Sequence, residues 1–103
     1  MSNLIKKDQW VWVVIQDPGG NEQFLGQHDD EKNESFIPVF LEKDEAQQGL
    51  NFLVREKGLK YEVQAIQFYD LSQRAAEQGF VLFILNGSGE VLEKIKSHKN
   101  PLN

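Results

Sequence analysis

Hydrophobic positions along this chain fall into short blocks whose period shifts from two to nearly four and back again. Trp10 to Ile15, WVWVVI, is dense in aromatic and β-branched residues and predicts a strand. Val11, Val13 and Ile15 would point one way and Trp10, Trp12 and Val14 the other. Both faces are apolar, so this strand is either covered on both sides or shows one face to a partner. Asp17-Pro18-Gly19-Gly20-Asn21 supplies turn residues, and Gln23 to Gln27, with Phe24 and Leu25, predicts a short second strand that closes a hairpin. His28 to Ser35, HDDEKNES, predicts an exposed loop.

Phe36 to Gly58 predicts a strand leading straight into a helix, the pair around which the other segments are arranged. Ile37, Val39 and Leu41 alternate with Phe36, Pro38 and Phe40, and Pro38, lacking an amide donor, belongs at the strand start or on a sheet edge. Ala46, Gly49, Leu50, Leu53 and Val54 then recur at the spacing of one buried helical face. Asp44 and Gln47 resemble a capping box, and Gly58 is placed to end the helix. Gly49 in the middle of that face predicts a close approach of helix to sheet, because glycine in a helix interior otherwise costs about 1 kcal/mol against alanine. Phe52 falls off the buried stripe, as flanking core or as an exposed anchor.

Leu59, Tyr61, Val63 and Ala65 alternate with polar residues as in a strand with one buried face, and the phase changes at Ala65-Ile66. Asp70 and Gln73 look like the cap of a second helix that stops at Gly79. Phe80 to Leu85, FVLFIL, predicts a buried strand, and Asn86-Gly87-Ser88-Gly89 a reversal into a return strand through Val91, Leu92 and Ile95. The order strand, strand, strand, helix, strand, helix, strand, strand predicts an α+β domain. Its sheet would be mixed or mainly antiparallel, of about five to six strands, with both helices on one face. Residues 10–96 would form this single domain, with flexible ends at 1–9 and 97–103.

Composition narrows the function. The 103 residues fit one domain, and with no cysteine the chain has no disulfides, thiolate metal sites or cysteine nucleophiles, in keeping with a reducing compartment. A net charge of -5 argues against nucleic acid as the main partner. The imbalance is local: residues 16–57 carry ten acids and four bases, whereas Lys94, Lys96 and Lys99 make the C-terminal end basic. With no run near the ~20 apolar residues of a membrane span and no signal-like apolar core in MSNLIKKDQ, a soluble, cytoplasmic protein without a membrane partner is expected.

Catalytic constellations are not legible. His28 lies in the acidic run and His98 near the C-terminus, neither in an apolar setting that would tune it for proton transfer. Gly87-Ser88-Gly89 lacks the spacing of a nucleophile elbow. The glycine pair after the first strand lacks the Gly-Lys-Ser/Thr ending of a phosphate loop. His28 beside Asp29, Asp30 and Glu31 has the spacing of neither a zinc nor a calcium site. No enzyme, cofactor or metal is expected.

VWVVIQ, Asn21-Glu22 in the following loop, IPVFLEKDEAQQGLNFL and YEVQAIQFYDLSQRAAEQGFVLFIL together resemble the small domains of SseB-like proteins. They also resemble a domain family of cyanobacteria and plants in which an apolar strand ending in Phe leads into an acidic helix start. The resemblance spans most of residues 10–92 and implies an α+β domain without catalytic residues to carry over; one short domain is expected, without the second domain that many SseB-like proteins have. The expected function is a non-catalytic interaction module, self-associating as a homodimer or docking a protein partner. Trp10, Trp12 and Phe52 are its candidate contacts. The tryptophans lie either on an uncovered sheet face, where such a patch marks an interface, or under a helix as core. The alternative is a small-ligand sensor with a pocket edged by Tyr61 and Tyr69.

Overall fold

The computed structural model describes residues 5–96, and the apolar blocks become the strands that their period predicts. The first is β1 (Trp10–Gln16), joined through the Asp17–Asn21 turn to a two-residue β2 (Gln23–Phe24). The polar run is shorter than a loop from His28 to Ser35. β3 (Gln27–Asp29) pairs antiparallel with β4 (Glu34–Val39), and only the tip between them turns, with Asn33 at φ 52°. Cross-strand pairing orders a segment that its own polarity assigns to solvent. β5 (Tyr61–Gln67) runs antiparallel to β1 along its whole length. β6 (Val81–Leu85) is parallel to β4 and antiparallel to β7 (Val91–Ile95). The α+β domain thus carries a three-stranded sheet, β2-β1-β5, and a four-stranded mixed sheet, β3-β4-β6-β7.

Among the described residues a single bridge joins the sheets: the backbones of Trp12 and Phe40 exchange hydrogen bonds of 2.8 and 2.9 Å. That bridge explains Pro38. It is fully buried inside β4, neither at a strand start nor on an outer edge. β3 pairs no farther along β4 than Phe36, and β1 takes over at Phe40, so Pro38 stands in the gap between the two partners. No ladder bond is asked of the residue that cannot make one.

The two helices do not share a face. α2 (Phe68–Gln78) sets Leu71 and Ala75 against Val11, Val13, Ile15, Ile37, Val39, Leu82 and Ile84. α1 (Lys43–Gly49) sets Ala46 among Phe40, Phe83 and Leu85, with Trp12, Phe36, Leu53 and Val63 at the margin. Alternation along β1, β4 and β6 sends these two residue sets to opposite faces, so each helix has its own core. This answers why WVWVVI and FVLFIL are apolar on both sides: both strands are covered twice.

α1 is also shorter than its periodicity. After Gly49 the chain makes one 3-10 turn, Leu50–Phe52, and is extended at Leu53, leaving Val54 80 % exposed. The cause is the Gln27 side chain, whose amide accepts from Val54 N–H at 2.8 Å and donates to Val54 C=O at 2.9 Å. A helix continuing through Val54 would need those same backbone groups. Gly58 therefore serves a later turn, at φ 87°, and ends no helix. Glu42 stands at the N-cap of α1 and Gln67 at that of α2, neither with a side-chain cap bond, so Asp44 and Asp70 add first-turn charge and do not cap. Gly79 closes α2 in the left-handed conformation, as its position predicts.

Ile5 is buried in the α2-side core, and Lys7 and Gln9 accept hydrogen bonds from the amides of Tyr69 and Phe68. Residues 5–9 therefore belong to the domain and are not a loose end. The remaining expectations of flexible ends, at residues 1–4 and 97–103, lie outside the described residues. Among the described residues no helix is long and apolar enough to cross a membrane.

Candidate interaction groove

The phase change at Ala65-Ile66 shapes the main concavity. On β5, Tyr61, Val63 and Ala65 share a face with Trp12 and Val14, whereas Glu62, Gln64 and Ile66 lie beside Ile15, Val13 and Val11. The α2-side core face thus turns polar as it crosses from β1 to β5. α2 covers its apolar part and leaves a groove of about 690 Å³ along the boundary. Phe24, Ile66, Val13 and Ile15 supply apolar lining, and four glutamine amides, Gln23, Gln64, Gln67 and Gln78, line the groove with them.

Trp10 and Tyr69 also line this groove, 60 % and 52 % exposed. Trp10 opens β1 opposite Gln67, the last residue of β5, at the end of the sheet where β5 runs into α2. Tyr69 is held by its own amide, which donates to Lys7 C=O at 2.9 Å. Charge at the groove consists of Glu22 and an Asp70–Arg74 pair at 3.4 Å, one helical turn apart. Since Arg74 is engaged, the groove presents a surplus of negative charge.

The other candidates from the sequence lie elsewhere. Trp12 is half-buried at the edge of the α1-side core, with Lys43 Nζ 5.7 Å from its ring centroid, so the two tryptophans do not form one patch. Phe52 is 63 % exposed beside a second, smaller concavity of about 390 Å³ with Phe36, Phe83 and Val91. Its floor is a Phe36–Phe83 stack, centroids 4.0 Å apart. Lys94 lies across that floor, 4.9 Å from the Phe83 centroid and 3.8 Å from Asp29, so a cation from β7 covers the aromatic surface that α1 leaves open.

Tyr61 and Tyr69 do not edge a common pocket. Tyr61 opens β5 and Tyr69 lies beyond its far end, and Tyr61 Oη is bound to the backbone of Glu56 at 2.7 and 3.3 Å. Ile66, Gln64 and Phe24 are not legible in the sequence as site residues. The one signal for them is the broken alternation at Ala65-Ile66, which marks where a strand face changes its surroundings. Among the described residues no three His, Asp or Glu side chains converge as a metal set. His28 lies 3.7 Å from Asp30.

Comparison with protein-family models, with curated proteins and with solved structures finds no match for this chain.

Proposed function

We propose that this chain is a non-catalytic, cytoplasmic interaction domain that seats a segment of a partner protein in the groove between β5 and α2. The observation that carries the reading is the pairing of Trp10 and Tyr69, two large aromatic side chains left more than half exposed on one concave surface. Aromatic residues at such positions provide large contact area at small conformational cost and dominate the energetics of interfaces. Of the four glutamines that line the groove, Gln64 and Gln67 already donate to Glu62 and to Asp8 C=O, and Gln23 and Gln78 offer donors and acceptors suited to a peptide backbone. Glu22, which among the described residues of the groove meets no free cation, favours a basic residue in the partner. The partner segment is thus apolar with an adjoining Lys or Arg. The likeness to SseB-like domains brings no further residues to this reading.

Selection of a displayed random-peptide library on the purified protein tests it. Enriched peptides should pair an aromatic or aliphatic anchor with a basic residue. They should bind Trp10→Ala and Tyr69→Ala at least about tenfold more weakly, a change of about 1.4 kcal/mol, and Phe52→Ala as well as the parent. Peptides that bind Trp10→Ala undiminished, or a library that yields no binder, would overturn the proposal.

A further inference from the structure

The two sheets have four outer strands, β2, β5, β3 and β7. An outer strand exposes unpaired amides and carbonyls, and proteins shield such edges by keeping them short or charging them. β2 has two residues and β3 three, and β7 carries Glu93 and Lys94 within its five. β5 has neither protection. It is seven residues long, YEVQAIQ, with Glu62 as its single charge.

Which groups β5 exposes follows from the bonds at its two ends. Lys60 C=O accepts from Asp17 N–H, and Phe68 N–H donates to Gln9 C=O, so the even-numbered residues of this segment turn their backbone groups toward β1. The odd-numbered residues Tyr61, Val63, Ala65 and Gln67 turn theirs away. Among the described residues no backbone group bonds to those of Val63 or Ala65 on that side, and the Ala65 side chain is exposed.

We propose that β5 is a self-association edge on which a second copy of this chain pairs antiparallel, centred on Gln64. That register sets Val63 opposite Ala65 of the other copy, two residues whose backbone groups point outward, so each such pair closes two hydrogen bonds, while Tyr61 falls opposite Gln67, whose carbonyl is committed to α2 as its N-cap. A register displaced by one residue would bring outward groups against inward ones and close none. Glu62 falls opposite Ile66 and not opposite its own copy, so no like charges meet across the two-fold axis. The product is one continuous sheet, β2-β1-β5 followed by the same three strands in reverse order. The interface runs along the sheet edge and does not require the groove to be occupied.

Hydrogen exchange of individual amides, measured together with solution mass over a concentration series, tests the proposal. Mass should rise from monomer to dimer. The Val63 and Ala65 amides should exchange rapidly in the dilute monomer and slow at least tenfold in the dimer, while those of Gln64 and Ile66 are protected throughout. Ala65→Pro, which removes an outward donor, should leave the mass monomeric, and Phe52→Ala, which alters a different concavity, should dimerise like the parent. A protein that stays monomeric up to its solubility limit would overturn the inference. So would a dimer in which Val63 and Ala65 exchange as fast as in the monomer, an outcome readable on the unmodified chain even where a variant does not fold.

Discussion

At the scale of single residues, Gly49 shows how a position with poor helix propensity is required by what lies against it. A Cβ on Gly49 would stand 2.6 Å from Cζ of Phe40, a ring that is fully buried at the strand bridge. Gly49→Ala gains up to about 1 kcal/mol of helix propensity but forces overpacking of about 1–3 kcal/mol. Urea denaturation should therefore show a net loss of up to about 2 kcal/mol. A variant more stable than the parent would mean that Phe40 yields. This contact is legible in the sequence, because a glycine in the middle of an apolar helical face marks a place where a side chain would collide with its neighbour. Trp12 is not legible in the same way. Its place under the edge of α1 depends on β1 meeting the end of β4, a pairing between residues far apart in the chain.

At the scale of elements, the end of α1 is decided by a side chain on another strand. Gln27 forms two hydrogen bonds with the Val54 backbone, and the apolar spacing that includes Val54 is thereby overruled. Gln27→Ala should release this clamp and lower stability by about 1 kcal/mol, the net worth of such exposed bonds. Amide exchange at Val54 should accelerate with it. An unchanged exchange rate there would show that the extended segment is held by Leu53 packing alone. The second helix behaves differently: Gly79, at φ 81°, ends it where local chemistry alone places the stop. Hairpin β6-β7 is likewise local, since Asn86 Oδ1 accepts from the amides of Ser88 and Glu90 within the turn itself.

At the scale of the whole molecule, one helix on each face divides the core in two, and the segment before β1 completes one half. Ile5 is buried among Val11, Leu71, Ala75 and their neighbours. Ile5→Ala should destabilise the domain by about 2–4 kcal/mol, as expected for a truncated buried aliphatic side chain. A loose N-terminal end would give no change in a thermal or chemical melt, so the experiment separates the two descriptions. The same division leaves the two exposed aromatic sites apart, Trp10 with Tyr69 on the α2 side and Phe52 on the side of the Phe36–Phe83 stack. It also leaves β5 with an open edge.

Local sequence was enough for the α+β class, the strand and helix blocks, the Asn86–Gly89 reversal, the stop at Gly79 and the tight approach at Gly49. Each of these rests on period, turn chemistry or propensity, which act over a few neighbouring residues. Tertiary contact was needed to send the helices to opposite faces, to put His28 on a strand and to stop α1 short of Val54. It also selected which of the exposed aromatics share a surface. The helix faces and the end of α1 depend on pairings such as Trp12 with Phe40 and Gln27 with Val54, where the partner lies at least 27 positions away and no local pattern encodes it, whereas His28 joins a strand through its nearer pairing with Ser35.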